Sequence, residues 1–185
     1  KVDRAIINRN ANEINEVLDE VLSLYNESPL LYYLDIMEKL YHELARVYAS
    51  LKNELALDAY QEALKLAVKV GNYYNDPNLL RNISVIRNDL YKYYLGSNLS
   101  LAIDQKNLCL DMNIRLYKDF SLQNDLRNIV TDFTELITLF NKQNKELSFQ
   151  YFTKGIIYAN ALYEKKVSLD EYNILSNFYL SALPI

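Results

Sequence analysis

The sequence predicts an all-α fold, a solenoid of antiparallel helix pairs, and three observations predict it. The 185 residues include only three glycines and three prolines, too few for the tight turns of a β-rich chain. The chain repeats itself without gaps at a spacing of 46 residues. Within each copy the apolar residues fall at three- and four-residue steps, the period of one face of an α-helix.

The repeat is explicit in the letters. Leu80-Arg81-Asn82-Ile83 recurs as Leu126-Arg127-Asn128-Ile129, and the same shift of 46 carries Leu90 to Leu136, Tyr94 to Phe140 and Asn98 to Asn144. Run backwards, it carries Leu90 to Leu44, Tyr94 to Tyr48 and Leu101-Ala102-Ile103 to Leu55-Ala56-Leu57. We expect repeats over residues 30–75, 76–121 and 122–167 of one helical repeat domain, 1–185.

Ahead of the first repeat, Ile14, Val17, Leu18, Val21 and Leu24 match the stripe at 60, 63, 64, 67 and 70, so residues 10–26 read as the second helix of a preceding repeat. In the first repeat, Leu34, Met37, Tyr41, Leu44, Tyr48 and Leu51 form one apolar stripe, and Lys52-Asn53 breaks it. Ala56, Tyr60, Ala63, Ala67 and Val70 then make a second stripe rich in small residues, which let helix backbones approach closely. The break from Gly71 to Pro77 ends that helix, and Asp76-Pro77 starts the next with proline in its first turn.

The second repeat predicts helices over 78–95 and 99–118, joined by Gly96-Ser97-Asn98. The third predicts helices over 124–141 and 146–165, with a polar turn from Asn141 to Lys145. Glu171 to Leu183, within residues 170–185, matches the opening helix of a following repeat. The first residue is Lys1 and the end helices fall mid-repeat, so we expect a piece of a longer array. The other reading of the end helices is as caps that cover the open ends of a solenoid.

Composition excludes several classes of function. The net charge is −4, and no basic stripe is present to neutralise phosphates, so no direct nucleic-acid partner is expected. No apolar run approaches the roughly 18 residues of a membrane span. The single cysteine, Cys109, cannot form an internal disulfide, so nothing requires an oxidising compartment and a cytoplasmic protein is expected.

The segment from Ala56 through Tyr60 to Ala63 resembles the second helix of a tetratricopeptide repeat, which places a small residue, an aromatic four later and a small residue three after that. Ser148, Phe152 and Gly155 repeat the pattern, whereas the second copy keeps Ala102 and Cys109 but has Lys106 at the aromatic position. Leu44 with Tyr48, Leu90 with Tyr94 and Leu136 with Phe140 are similar to the leucine and tyrosine of the family's first helix. The period of 46 exceeds the family's period of about 34, and the turn is one residue short, so the helices must be longer. The resemblance implies a right-handed superhelix that binds protein or peptide, and similar long-helix arrays occur in bacterial peptide-sensing regulators and in scaffolds attached to caspase-like proteases.

No constellation of acid, base and nucleophile is visible, so we expect no enzyme, no cofactor and no metal. The single histidine, His42, rules out a multi-histidine metal site and reads as a surface or groove residue. Cys109 takes the small-residue position of Ala63 and Gly155 and reads as packing. Gly71, Gly96 and Gly155 are isolated and form no phosphate-cradling loop.

The resemblance does point to a surface. Family arrays line their inner groove with first-helix residues off the core stripe. Here those positions are His42 and Arg46, Asn88 and Lys92, and Thr134 and Thr138, with Arg81 and Arg127 a turn or more earlier. Donors of this kind suit the carboxylates and backbone carbonyls of a peptide. A scaffold for a partner peptide is therefore the leading expectation. The alternatives are a peptide-sensing regulatory domain and a structural spacer or self-assembling array.

Overall fold

A computed structural model describes residues 1–165 and 168–183. Residues 166–167, the end of the expected third repeat, and 184–185, the end of the expected last helix, lie outside the described residues. Among the described residues there are nine α-helices and no strand. They are α1 (Val2–Asn8), α2 (Ala11–Glu27), α3 (Leu31–Ser50), α4 (Leu55–Tyr74), α5 (Pro77–Leu95), α6 (Leu99–Phe120), α7 (Gln123–Asn141), α8 (Lys145–Tyr163) and α9 (Leu169–Ser181).

The chain divides into two units, Lys1–Ala102 and the part from Ile103 onward. In the first unit each helix packs on the next, and α3 sits against α1, α2, α4 and α5. In the second unit α7 packs on α8 and α9, and α8 on α9. Antiparallel neighbours joined by short turns are what consecutive apolar stripes require, since each helix can bury its stripe only against the next.

The helix ends follow local chemistry. Asn10 caps α2 by accepting from the amides of Asn12 and Glu13. The Asp76 carboxylate caps α5 through the amides of Asn78 and Leu79, with Pro77 in the first turn. Asn98 accepts from the Leu101 amide at the start of α6, and Asn144 accepts from the Leu147 amide at the start of α8. Ser168 and Glu171 form a reciprocal capping box on α9.

The small-residue stripe of α4 is fully realised, with Ala56, Tyr60, Ala63, Ala67 and Val70 all buried. The stripe of α3 is broader than periodicity alone suggests. Leu34, Met37 and Leu44 are buried, but so are Glu38, Leu40, His42, Glu43, Ala45 and Val47. A helix flanked by four others has little free face, and its last stripe residue, Leu51, is two-thirds exposed beyond the helix end. Leu24, expected in the stripe of α2, is likewise exposed. The sequence reading contained no counterpart of α1, whose seven residues are too short to show a periodic stripe.

In the second unit the core gathers Leu126, Ile129, Phe133, Leu136 and Ile137 of α7 with Ala159 and Leu162 of α8 and Leu175 and Phe178 of α9. Gly155 permits this closeness: a Cβ there would lie 2.8 Å from Phe178 and 2.9 Å from Phe133. The small residue at this position is therefore a requirement of packing.

Candidate functional site

The site begins with two side chains one turn apart on α3. His42 and Arg46 both reach a carboxylate on α5: His42 Nε2 lies 2.9 Å from Asp89 Oδ2, and Arg46 Nε donates to the same oxygen at 2.7 Å. Burial works to raise the Asp89 pKa, but the bonds from His42 and Arg46 outweigh it and hold the carboxyl below its ordinary value. Asp89 is thus ionised and can only accept, which makes His42 Nε2 the donor. Arg46 is a counterpart case: burial opposes its charge, but Asp89 and Glu43 raise its pKa above the ordinary value.

Aromatic rings back this clamp. The Tyr60 ring of α4 lies 6.2 Å from the His42 ring and 6.0 Å from the Tyr93 ring of α5. Burial pushes the Tyr60 phenol up to about 12, with the Asp89 charge adding to the effect, so Tyr60 stays neutral. The turn after α3 completes the rim. Lys52 adopts a left-handed conformation at φ 54°, and Asn53 accepts from the Leu55 amide at 2.9 Å. These groups surround an open cleft of about 820 Å³, edged by the cations Arg46, Lys52 and Lys92 and walled by Tyr60, Asp89 and Tyr93.

The eight residues that sequence pointed to divide between the two units. In the first, Arg46 and Lys92 line the cleft and His42 lies buried behind it, holding Asp89. His42 is therefore part of the framework and not a surface histidine, because α4 and α5 both pack over that face of α3. Asn88 is half-buried and does not line the cleft, and Arg81 donates to Asn78 in the first turn of α5.

In the second unit, Arg127 is committed to structure. Its Nε donates to Glu171 Oε1 at 2.5 Å, beside Gln123 Nε2 at 2.7 Å, which ties α7 to α9. Hydrogen bonds from Ser168 and Arg127 hold the Glu171 carboxyl down at about 2. Thr134 and Thr138 turn their hydroxyls back to the carbonyls of Val130 and Thr134, each at 2.8 Å.

Sequence reasoning passed over Asp89, Lys52 and Tyr93. A signal for Asp89 existed, because the 46-residue shift places Glu43, Asp89 and Glu135 in one column, and each meets a cation. The same shift explains a second polar cluster. Lys106 of α6 stands in the column of Tyr60 and Phe152, and Asp132 of α7 in the column of Leu40 and Ile86. The Lys106 ammonium lies 2.6 Å from Asp132 and 2.5 Å from Glu135, and Asn113 Nδ2 donates to Asp132 at 2.7 Å. Burial opposes the Lys106 charge, but the two carboxylates outweigh it and raise the pKa. Cys109 lies beside them, and burial pushes its thiol well above the ordinary value, which leaves it unreactive.

Among the described residues no group of His, Cys, Asp and Glu is arranged to hold a metal ion, and no helix is long and apolar enough to cross a membrane. Comparison with protein-family models finds no match, and neither does comparison with curated proteins.

Proposed function

We propose that this chain is a non-enzymatic scaffold of the tetratricopeptide kind, a right-handed solenoid whose first helices hold an extended peptide of a partner protein. The observation that supports this reading best is the cleft beside α3 and α5. Arg46, Lys52 and Lys92 present cationic donors beside the Tyr60 and Tyr93 rings, against the carboxylates of Glu54 and Asp89 in the same lining, on a protein whose net charge is −4. A local cationic edge on an acidic chain selects a peptide with carboxylates at a matching spacing, and the lysines also reach backbone carbonyls. The Asp89 clamp fixes Arg46 before any ligand arrives, so little side-chain entropy is lost on binding.

The test is a selection from a displayed library of extended peptides, run in parallel on the wild-type chain and on a Lys52→Glu/Lys92→Glu variant. Both lysines are exposed, so the fold should survive, which circular dichroism checks. Convergence on acidic peptides with the wild type, and loss of those peptides with the variant, supports the reading. Peptides that bind both proteins equally, or no convergence at all, would remove the cleft from consideration.

A further inference from the structure

A second cleft lies at the other end of the same helices, where the start of α3, the end of α4 and the start of α5 meet. It encloses about 400 Å³ and is lined by Tyr32, Asp35, Tyr74, Asp76 and Leu79. Its aromatic members are open to solvent: Tyr32 is 63% and Tyr74 50% exposed. Two carboxylates and two tyrosine rings around one opening are the chemistry that recognises an organic cation.

The repeat explains why the opening is there. A shift of two repeats carries Asp35 to Arg127 and Leu79 to Glu171. In the second unit that pair is an ion pair, with the Arg127 guanidinium reaching from α7 to Glu171 of α9. In the first unit the place of the arginine is taken by a carboxylate and the place of the glutamate by a leucine. Among the described residues no guanidinium lines the space, and the Asp35 carboxylate stands beside it.

Asp35 is also incompletely matched. Its Oδ2 meets Lys39 Nζ at 2.7 Å, an exposed pair one turn apart on α3, while its Oδ1 is shielded from solvent and accepts no hydrogen bond. Asp76 keeps one oxygen on the amides that begin α5.

We propose that this cleft binds the guanidinium of an arginine side chain presented by a partner peptide. Arginine fits better than lysine because its planar group stacks on a tyrosine face while its fork of donors meets carboxylates. A guanidinium stacked on Tyr32 or Tyr74 shares the cleft with the Asp35 and Asp76 carboxylates.

The test is an NMR titration of ¹⁵N-labelled chain with acetyl-Gly-Arg-Gly-amide, and with the lysine and norleucine versions of that peptide. The expected result is saturable shifts at the amides around Tyr32, Asp35 and Tyr74 for the arginine peptide, weaker ones for lysine and none for norleucine. Asp35→Asn should weaken arginine binding at least threefold, and Tyr74→Leu, at a half-exposed helix end, should weaken it independently. Equal response to arginine and lysine or norleucine, unchanged affinity in Asp35→Asn, or shifts located elsewhere would overturn the assignment.

Discussion

The Lys106 ammonium and the Asp132 carboxylate stand 2.6 Å apart in the core of the second unit, with side chains only 1% and 6% exposed. The equivalent places in the other repeats hold Tyr60 with Ile86, and Phe152 with Phe178. Desolvating two charges offsets most of what their attraction returns, so such a pair adds little net stability, whereas breaking it leaves one charge stranded. Lys106→Phe should therefore cost about 3–5 kcal/mol, and the double change Lys106→Phe/Asp132→Ile should recover part of that loss, with Glu135 and Asn113 still lacking the partners they have in the wild type. Urea unfolding of the two variants and the wild type checks it. A single variant as stable as the wild type, or a double variant no better than the single, contradicts the argument.

The two accessible glycine contrasts in the chain make a cleaner probe of packing. Gly155 has no room for a methyl group between Phe178 and Phe133, so Gly155→Ala should cost about 1–3 kcal/mol through overpacking. Gly96 has nothing within 4 Å of a new Cβ and an ordinary φ of −89°, so Gly96→Ala should be neutral or stabilising by up to about 1 kcal/mol. Thermal melts of both variants decide it, and a destabilised Gly96→Ala beside an unaffected Gly155→Ala would mean the helix packing is misjudged.

Helix positions were legible because their signals are local. Asp76-Pro77 announces α5, and the spacing of Ala56, Tyr60, Ala63 and Ala67 announces the buried face of α4. The candidate site was legible only in part, because its geometry depends on contacts far apart in sequence. Arg46 and Lys92 follow from the repeat register, but Asp89 meets His42 and Arg46 across 47 and 43 residues. Lys106 stood out as a break in the aromatic column. Its partner Asp132 lies 26 residues on, in a column of apolar residues, and becomes meaningful only when the two columns are brought together. Arg127 looked like a free donor because nothing in its own helix reveals Glu171.

Glu38 ties stability to pH. Its side chain is buried on α3 and accepts from Asn82 of α5 at 3.0 Å, with Asp35, Lys39 and Arg46 the charged groups around it. Burial raises its pKa from 4.5 to about 7, more than the Asn82 bond lowers it. The folded state therefore holds this proton more tightly than the unfolded chain. The stability it contributes is fully present below about pH 4.5 and is lost as pH rises through about 7. Glu38→Gln keeps an acceptor for Asn82 without the charge, so it should stabilise the protein at pH 8 by up to about 3 kcal/mol and change little at pH 4. Denaturant unfolding at the two pH values checks this, and an equal effect at both would rule out a buried, titrating Glu38.

Asp89 should show the opposite sign. Its pKa is held below the ordinary 3.8 in the folded state, so its contribution is present above that value and is lost as pH falls through the folded pKa. Asp89→Asn removes the charge that His42 and Arg46 converge on, and charge-assisted bonds of this kind are worth about 1.5–3 kcal/mol each before losses from partial exposure. We expect a net cost of about 1–3 kcal/mol at pH 7 that narrows in strongly acid solution, where the wild-type carboxyl also takes up a proton. The chain has a single histidine, so one imidazole signal reports the clamp directly. Its Nε2 resonance should move in Asp89→Asn and remain in place in Lys92→Glu, because Lys92 edges the cleft without touching His42 or its carboxylate. An unmoved imidazole in Asp89→Asn would mean that Asp89 does not hold His42 in solution, and that Arg46 lacks the fixed position on which peptide binding in the cleft depends.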